Sequence, residues 1–576
     1  MNYRKIAPSL LSAINDFERR DLESAKTRFR TMALFGASDG ARDARISVLL
    51  HCEPEADFRH HADQGIIVNQ RKGRVRTALL PIGQIDQLSE DPNVLQLVAS
   101  RYMDIQMDVA AGVVNLPKFR TQSGLSGKNV IVGIVDTGID STHPAFAGRI
   151  QRIWDQTLKG SGVPEGAYGA ELLPQKLAAS TDTIGHGTHV SGIAAGDTTT
   201  YPGVAPKAEY IIVKTDLGQA HIVDGVNYVF RVAEDLKRPV VVNLSMGSHY
   251  DPHDGTDLLS LSLDSQSGPG KIVCCAAGNE GQDDIHAAVT LLSGDAAIRF
   301  ALWPSSSSGP IKGELNGWYS GKDQFEISVI DPGGAQTPFQ RIITSGRHNR
   351  DYSLPGGQVR IVTPGFDPTN GDHNFLIEIQ PLTIPEEGDH QDLWQLVLRA
   401  ATVTDGRVDI WAVCDTVFAR SAATDEMKIG SPGACSSAVT VAAYSTKNQW
   451  IDIQERQHSE TFPVNTITPL SSPGPLRNGI KKPDLAAPGA LIAAPASGNA
   501  TTDPRLVVAP GFYLNAGTSM ATPFISGVVA LLLERDPSLD PNGIKRILHS
   551  AGAVPGQSVG TFDPKWGYGL LNALGI

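Results

Sequence analysis

Four residues whose types carry acid–base and nucleophilic chemistry lie at the ends of apolar segments of this sequence. Asp136 ends the run KNVIVGIVD, and Asn279 follows the run KIVCCAAG. His186 begins the small-residue run HGTHVSGIAAG, and Ser519 precedes an apolar run of helical spacing that starts at Phe524. Continuous β-branched runs predict buried strands, and the spacing predicts a helix. All four side chains are therefore expected at strand ends and helix starts, where open α/β sheets bind ligands.

Taken one at a time, these residues have ordinary structural explanations. Ser519 fits a helix cap, and Asp136 and Asn279 fit turns. His186 and His189 have the spacing of a metal-binding pair, although the sequence offers no obvious third and fourth ligand. Taken together, the residues supply a nucleophile, a base, a carboxylate that orients the base and an amide donor for an oxyanion. Those are the groups that acyl transfer requires.

The composition indicates a soluble globular protein with several domains. The chain has 576 residues, 41% of them hydrophobic and 19% charged, and a net charge of −12, which does not favour nucleic-acid binding. No apolar stretch approaches the ~18 residues that a membrane helix requires. Residues 1–21 lack the apolar core of a secretory signal, and five scattered cysteines indicate reduced, buried thiols. We therefore expect a cytoplasmic protein without membrane or nucleic-acid partners, with export by another route left open.

The pattern of apolar segments divides the chain into four regions. Residues 1–44 are polar and helix-prone. A βαββαβ order of elements predicts a small α+β domain in 45–112. Strands alternating with glycine-rich turns and helices predict a parallel α/β sheet with helices on both faces, in 113–283 and 426–576. Strand follows strand in 284–425, which predicts an inserted antiparallel β-sandwich.

Five motifs resemble those of the subtilisin-like serine proteases, the subtilase family: VDTGID, GHGTHV, AAGNEG, KKPDLAAPG and GTSMATP. They stand in the chain order Asp, His, Ser, which is the order in subtilisin. The resemblance covers about 127–283 and 429–576. It implies the subtilisin-like fold and a serine endopeptidase that acts on proteins or peptides.

The resemblance also implies a role for each of the four residues. Ser519 would be the nucleophile and His186 the base that takes its proton. Asp136 would hold the imidazole in its productive tautomer. Asn279 and the backbone N–H of Ser519 would form the oxyanion hole.

The resemblance extends to the substrate cleft. It implies one segment that pairs with extended substrate and a second set of residues that forms the walls and base of the S1 pocket. The segment that pairs with substrate is Ser245, Met246 and Gly247, and the residues of the S1 pocket are Ala277, Gly278 and Gly430. Glu280, at the rim of that pocket, is compatible with Lys or Arg in the substrate.

We expect no cofactor and no bound metal. His249, Asp251, His253 and Asp254 in SHYDPHDGTD have the side chains that could bind a metal, but an exposed polar loop is the preferred interpretation. Many secreted subtilisins bind calcium through an acidic residue whose place is taken here by Ala145, and the loop after GTHVSGIAAG is short. His143 and His189 are expected to have structural roles.

Two regions outside the catalytic motifs resemble other parts of subtilases. The insert at 284–425 resembles, in position and β pattern, the jelly-roll domain of the clostridial germination (Csp-type) subtilases. The domain at 45–112 resembles the family's propeptide, which inhibits by placing its tail in the cleft. The resemblance implies a self-processed zymogen, in which the segment after Ser100 lies along Ser245–Gly247 and is cut before Gly112.

A second interpretation is a regulatory or binding protein that uses the subtilase scaffold and has only latent activity. The sandwich would then be its recognition surface. The complete set of catalytic residues argues against this interpretation, because a pseudoprotease is expected to lose part of its triad. Under the first interpretation the partners are protein or peptide substrates and the prodomain, which acts as an intramolecular inhibitor.

Overall fold

The computed structural model describes the backbone in ten segments: 2–8, 10–11, 34–35, 45–70, 72–99, 104–105, 113–302, 311–343, 348–382 and 393–576. The chain divides into two compact units. The first unit consists of Met1–Arg101, Thr256–Leu258 and Asp283–Glu426, and the second of Tyr102–Gly255, Leu259–Gln282 and Met427–Ile576. The first unit thus joins the propeptide-like region to the insert, and the second contains all four catalytic candidates.

Within the first unit, residues 45–99 form a small antiparallel sheet with helical connections. The strands are Arg45–Cys52, Ile67–Val68, Val75–Pro81 and Val94–Ala99, and the helical segments are the 3-10 helices Arg59–Gln64 and Ile82–Gln84 and helix α1 (Ile85–Glu90). Arg45–Cys52 pairs with both Val75–Pro81 and Val94–Ala99, and Val75–Pro81 also pairs with Ile67–Val68. The elements follow the strand and helix order expected from the sequence.

The region before residue 45 differs in part from the helical expectation. Tyr3–Lys5 forms a 3-10 helix, but Leu34–Phe35 is a strand that pairs antiparallel with the start of Arg45–Cys52. The expectation for residues 12–33 lies outside the described residues.

The insert is an antiparallel sandwich of two sheets. The larger sheet runs in the order His286–Thr290, Arg407–Cys414, Gly313–Tyr319, His373–Pro381, Gly357–Phe366 and Asn349–Leu354. The smaller runs in the order Gln324–Ile330, Trp394–Thr402, Asp295–Leu302 and Thr416–Phe418. Alternate residues such as Trp394, Leu396 and Leu398 are buried in its core because successive side chains of a strand point to opposite faces. The prediction of an inserted antiparallel β domain is confirmed.

The sandwich and the 45–99 module share part of one apolar core inside the first unit. Val362 and Leu376 of the sandwich are buried in the same cluster as Leu50 and Leu97 of the module. The side chain of Gln96 donates a hydrogen bond to Asp367 Oδ2 at 3.0 Å. The propeptide-like module is therefore packed as a part of this unit.

The second unit is built on a large, mainly parallel sheet. Its strands run in the order Val507–Ala509, Phe512–Ala516, Leu485–Pro495, Val439–Ser445, Lys271–Ala276, Val240–Leu244, Ile131–Asp136, Glu209–Lys214, Ile150–Asp155 and Ala170–Leu172. Three short strands pair near one end of it, namely Thr466–Ile467, Gly552–Ala553 and Leu570–Leu571. The two-residue strands Asp104–Ile105 and Met246–Gly247 pair separately, as do Gln449–Ile451 and Gln457–Ser459. The predicted α/β sheet is confirmed.

Helices accompany the strands of this sheet. They are α2 (Leu116–Ser123), α3 (His186–Ala195), α4 (Gln219–Asp235), α5 (Leu258–Gln266), α6 (Thr518–Arg535) and α7 (Pro541–Ala551), with short 3-10 helices at Pro144–Phe146, Leu177–Ala179 and Ala573–Gly575. Helix α6 is buried from Thr518 to Leu533, as expected of a helix that is apolar on every side. A Cβ on Gly527 would lie 2.6 Å from the carbonyl oxygen of Ala194. This glycine lets α3 and α6 pack backbone to backbone.

Two expectations drawn from composition can be compared with the described residues. None of the helices in the described ranges has the length and apolarity of a membrane-spanning segment. All five cysteines are free thiols. Four of them are buried, but Cys414 is exposed, because it lies at the end of strand Arg407–Cys414.

A buried ion pair lies between the strands Val439–Ser445 and Leu485–Pro495. Lys482 Nζ donates to Asp484 Oδ2 at 2.8 Å and to Thr440 Oγ1 at 2.8 Å, and both charged side chains are almost fully buried. Burial lowers the pKa of Lys482, but the charge of Asp484 outweighs it and holds that pKa above the usual range. Because Lys482 stays charged in a dry environment, its partner should be indispensable to the fold.

We predict that Asp484→Ala destabilises the second unit by about 3–5 kcal/mol, because it leaves a buried ammonium without its counter-charge. Denaturant unfolding followed by intrinsic fluorescence measures the change. The matched control is Asp503→Ala, which breaks the exposed pair with Arg505 and should leave the unfolding midpoint nearly unchanged. Equal effects of the two substitutions would contradict this account of the buried pair.

Candidate active site

The first pair of catalytic candidates is joined directly. Asp136 is the last residue of strand Ile131–Asp136, and His186 is the first residue of α3. His186 Nδ1 lies 2.6 Å from Asp136 Oδ1, and the two side chains are 2% and 0% exposed. Because a carboxylate only accepts hydrogen bonds, Nδ1 is the donor, and the neutral imidazole carries its lone pair on Nε2. The imidazole is thus held in one tautomer and one orientation.

Asp182, which the sequence motifs did not single out, holds the two segments together. Its Oδ1 accepts from Gly185 N at 2.8 Å and from Thr137 Oγ1 at 2.9 Å. Its Oδ2 accepts from Thr188 N at 2.9 Å and from Thr188 Oγ1 at 2.7 Å. An aspartate just before a helix is a common capping residue, and this position is the signal by which Asp182 could have been found in the sequence. Asp182 therefore fixes the start of α3 relative to the turn after Asp136.

Gly187 allows α3 to approach that turn closely. A Cβ at this position would lie 2.2 Å from the carbonyl oxygen of Gly138 and 3.2 Å from Asp136 Cβ. The backbone N–H of Gly187 donates to Thr137 Oγ1 at 2.9 Å. The Gly that follows His186 in GHGTHV is thus a steric requirement of the His186–Asp136 contact.

Ser519 lies in the first turn of α6, after Gly517. Its hydroxyl donates to the carbonyl oxygen of Ser245 at 3.0 Å, and Ser245 Oγ donates to the carbonyl oxygen of Ser519 at 2.7 Å. Asn243 Nδ2 in turn donates to Ser245 Oγ at 2.9 Å. Ser245, which is expected to bind substrate, thus also holds Ser519 in place. In this conformation the Ser519 hydroxyl donates to the carbonyl oxygen of Ser245.

Asn279 is held by the residue that precedes Ser519. Its Oδ1 accepts from Thr518 N and from Thr518 Oγ1, both at 2.9 Å. A backbone N–H only donates, so the atom that faces it must be the amide oxygen. The NH₂ group of Asn279 is thereby the outward-facing end of the amide, as an oxyanion donor requires.

The strand expected to bind substrate, Met246–Gly247, is paired with a segment that lies earlier in the same chain, Asp104–Ile105. Met246 pairs antiparallel with Ile105, and Gly247 with Asp104. Ser248 N donates to the carbonyl oxygen of Ser431 at 3.0 Å on the neighbouring segment. Met246–Gly247 thus accommodates an extended peptide as an added strand.

Comparison with known proteins identifies the family of this chain. Residues 127–305 and 386–569 match the Subtilase family (peptidase S8) profile, which is more than half of the chain. The chain belongs to the subtilase family.

Individual relatives of this subtilase have modest identity. It is 34% identical over 169 residues to the major intracellular serine protease of Bacillus subtilis, covering 28% of this chain and 46% of that protein. It is 24% identical over 582 residues to the subtilisin-like protease SBT3.4 of Arabidopsis thaliana, covering 86% of this chain and 69% of that protein. The match to the Bacillus protein thus spans about half of that relative's length.

A solved structure resembles the subtilase over most of its length. The CspB protease of Clostridium perfringens aligns with a TM-score of 0.66 and 23% identity, covering 81% of this chain and 98% of that one. At this identity the similarity concerns the fold. The expected likeness to the Csp-type subtilases is confirmed at that level.

The expected S1 residues of the subtilase lie on closely packed backbone. Gly278 has a φ of +104°, which disfavours any other residue, and Ala277 is buried. A Cβ on Gly430 would lie 2.1 Å from the carbonyl oxygen of Ser248. Gly430 is therefore required by the packing of this segment, whatever space it also leaves for substrate.

The expectation of an exposed polar loop at SHYDPHDGTD is wrong. Asp251, His253 and Asp254 are buried, because they pack beside the Gly430 segment, where Asp251 Oδ1 accepts from Ser431 N at 3.1 Å. His249 Nδ1 lies 2.9 Å from His253 Nε2. The loop is an internal polar cluster.

Glu280 belongs to the same cluster. Its Oε2 accepts from Ser472 Oγ at 2.9 Å and from the backbone N–H of Asn279 at 2.7 Å, and it lies 3.4 Å from His249 Nε2. Burial raises the pKa of Glu280, but the hydrogen bonds and charge of His249 and the bond from Ser472 lower it to about 2. The Glu280 carboxylate is therefore ionised and already paired.

His189 and His143 have structural roles. His189 Nε2 donates to the carbonyl oxygen of Tyr513 at 3.2 Å, and burial lowers the pKa of His189 to about 3. His143 Nδ1 accepts from Ala145 N at 3.2 Å. Beside Ala145, the guanidinium of Arg149 donates to the carbonyl oxygens of Ala145, Ala195 and Ala208. These three carbonyl groups therefore surround a positively charged side chain.

We predict that Gly187→Ala destabilises the second unit by roughly 1–3 kcal/mol through overpacking against backbone that cannot move aside. Helix propensity alone favours Ala over Gly by roughly 0.5–1 kcal/mol. The sign of the net change in the free energy of unfolding therefore tests whether the clash outweighs this preference. Gly268→Ala is the matched control, because a Cβ there meets nothing within 4 Å. Urea unfolding of both variants measures the difference, and a stabilised Gly187→Ala protein would contradict the close approach.

Proposed function

We propose that this subtilase is a serine endopeptidase that hydrolyses peptide bonds through an acyl-enzyme intermediate on Ser519. The observation that carries the proposal is the buried hydrogen bond of 2.6 Å from His186 Nδ1 to Asp136 Oδ1. It leaves His186 Nε2 with the lone pair that a general base needs. Family membership supports the same reaction.

The reaction begins when Ser519 Oγ attacks the substrate carbonyl carbon and its proton passes to His186 Nε2. The hydroxyl must first leave the carbonyl oxygen of Ser245, its acceptor at 3.0 Å, and turn toward the imidazole. The imidazolium then protonates the leaving amine, and water repeats the sequence to release the acid. Asp136 stabilises the imidazolium in both stages.

The negative charge of the tetrahedral intermediate is assigned to Asn279 Nδ2 and the backbone N–H of Ser519. Thr518 holds the amide oxygen of Asn279 with two hydrogen bonds, so the NH₂ group needs no reorganisation when the charge develops. The first turn of α6 adds the positive end of the helix dipole. Both donors therefore belong to segments that are fixed before substrate binds.

The proposed substrates are extended segments of proteins or peptides. They would add as a strand to Ser245–Gly247 and place one side chain against Ala277, Gly278 and Gly430. Because the Glu280 carboxylate is already paired with His249, its attraction for a basic side chain is partly neutralised. This pairing favours tolerance of Lys or Arg over a strict requirement.

We predict that Ser519→Ala abolishes both casein hydrolysis and labelling by a fluorophosphonate probe. Asn279→Ala should retain a residual rate, lower by about 10²–10³-fold, the range measured for an oxyanion donor in subtilisin. Ser550→Ala, an exposed serine on α7, is the matched control and should behave as wild type. Circular dichroism confirms that each variant is folded.

Hydrolysis that survives in Ser519→Ala would contradict the proposed mechanism. A wild-type chain that is neither labelled nor active, even after removal of residues 1–112 by limited proteolysis, would favour the alternative of a regulatory or binding scaffold. The two outcomes are distinguishable, because only the second leaves the unmodified protein inert.

We further propose that the 45–99 module is an inhibitory prodomain and that the chain is a zymogen that cuts itself. The support is the antiparallel pairing of Asp104–Ile105 with Met246–Gly247, the same strand that would bind substrate. A tethered segment acts at high effective concentration and competes with other peptides. Cleavage between Ser100 and Gly112 would leave the prodomain bound until it is degraded.

We predict that wild-type protein appears on denaturing gels as two fragments, and that Ser519→Ala remains one chain. N-terminal sequencing should locate the cut between Ser100 and Gly112. The rate of cleavage should not depend on protein concentration, because the segment reaches Ser519 within its own chain. A wild-type protein that is active on substrate but stays uncut would refute the zymogen proposal and leave 45–99 as a permanent domain.

A further inference from the structure

Two histidines and an aspartate converge on one point of the 45–99 module, far in sequence from the catalytic residues. His60 and His61 lie in the 3-10 helix Arg59–Gln64, and Asp91 is the residue that ends α1. His60 Nε2 lies 3.1 Å from Asp91 Oδ2, and His61 Nε2 lies 2.9 Å from the same oxygen. A single carboxylate oxygen is thus approached by two imidazole nitrogens.

The surroundings orient each member of this group, which we call the His60–His61–Asp91 cluster. Asp91 Oδ1 accepts from the backbone N–H of Asn93 at 2.8 Å and from Asn93 Nδ2 at 3.1 Å. The carboxylate therefore turns its Oδ2 toward the histidines. His61 Nδ1 lies 3.0 Å from Gln64 Oε1, the outer hydrogen bond that commonly orients a metal-binding imidazole.

The protons of His61 make this arrangement unusual. If Nδ1 donates to Gln64, a neutral imidazole presents a lone pair at Nε2 to the Asp91 oxygen 2.9 Å away. Two lone pairs at that distance repel unless a proton or a cation lies between them. His60 Nε2 faces the same oxygen, and it too presents a lone pair when the proton of that imidazole is on Nδ1. A cation shared by all three atoms relieves both repulsions at once.

The spacing of the three atoms suits a transition metal. Neighbouring ligand atoms of a tetrahedral Zn²⁺ lie about 3.3 Å apart for metal–ligand bonds of 2.0–2.2 Å. The two distances to Asp91 Oδ2 are within a few tenths of an ångström of that value, and all three ligand atoms lie within 4.8 Å of one another. Ca²⁺ and Mg²⁺ prefer oxygen ligands, whereas two imidazoles and a carboxylate suit Zn²⁺.

Burial leaves one side of the cluster open. The side chains of His61 and Asp91 are 7% and 3% exposed, and that of His60 is 57% exposed. An ion can therefore enter from solvent, and a water can complete the fourth position. The ion would link the Arg59–Gln64 helix to the end of α1. Such a cross-link stabilises a module that is too small to bury a large core of its own.

We propose that the His60–His61–Asp91 cluster is a Zn²⁺ site that stabilises the 45–99 module. The inference is independent of the proteolytic mechanism, because none of these residues belongs to the second unit. It adds a metal site where none was expected from the sequence.

The experiment uses the full chain carrying Ser519→Ala, so that self-cleavage cannot alter the result. Zn²⁺ is titrated by calorimetry, and Co²⁺ by its visible absorption. We expect one ion per chain and slower hydrogen exchange in residues 59–64 and 94–99 when Zn²⁺ is added. Added to the same background, His61→Gln should lower the affinity by at least tenfold, and His51→Gln, a histidine of the same module outside the cluster, should not.

Because His61 and Asp91 are buried and their substitution can disturb folding, His60→Ala provides a second test. His60 is mostly exposed, and within the cluster it contacts Asp91 and the ring of His61, whose centroid lies 4.0 Å from its own. We expect the variant to fold as well as its parent in the absence of metal and to bind Zn²⁺ at least tenfold more weakly. Absence of stoichiometric Zn²⁺ binding, or affinity unchanged in both His60→Ala and His61→Gln, would overturn the proposal.

Discussion

The hydrogen bond between His186 Nδ1 and Asp136 Oδ1 joins a strand end to a helix start, and the surrounding structure keeps both groups fixed and dry. Removing a carboxylate from water is costly unless hydrogen bonds compensate it. Asp136 receives the imidazole at 2.6 Å and the backbone N–H of Thr137 at 2.7 Å. Gly187 permits the approach, and Asp182 ties the turn after Asp136 to α3. The geometry of the base thus depends on backbone packing.

The same principle extends to the nucleophile. Ser519 is fixed through Ser245, which exchanges hydrogen bonds with it in both directions, and Asn279 is fixed through Thr518. Asn279 is therefore held by the residue next to Ser519, and Ser519 is held by a residue of the segment expected to bind substrate. A disturbance of one segment is expected to reach the proposed nucleophile, the proposed oxyanion donor and the proposed substrate strand together.

Much of this arrangement could be predicted from the sequence, because the signals were local. The apolar run before Asp136, the small-residue run after His186 and the apolar run after Ser519 each specify an element and its end. Parallel strands then bring those ends to one edge of a sheet. Alternation in the insert likewise specified strands such as Trp394–Thr402 and their buried faces.

The remaining features arise from contacts between residues distant in sequence, which leave no local signal. The carbonyl oxygens that surround Arg149 come from three separate segments. The loop at 248–257 looked exposed because it is polar, yet it is buried, since Asp251 and His253 find partners inside the fold. The convergence of His60 and His61 on Asp91 depends on how a 3-10 helix packs near the end of α1. Composition alone indicates none of these three results.

Asp136 is proposed to act by holding His186 in one tautomer, and the substitution Asp136→Asn tests that role. The amide can present its NH₂ group to Nδ1 and shift the imidazole proton to Nε2, which removes the lone pair that accepts the proton of Ser519. Measured on a peptide substrate at neutral pH, kcat should fall by about 10⁴-fold with the fold unchanged. A fall of less than tenfold in a correctly folded variant would contradict the account.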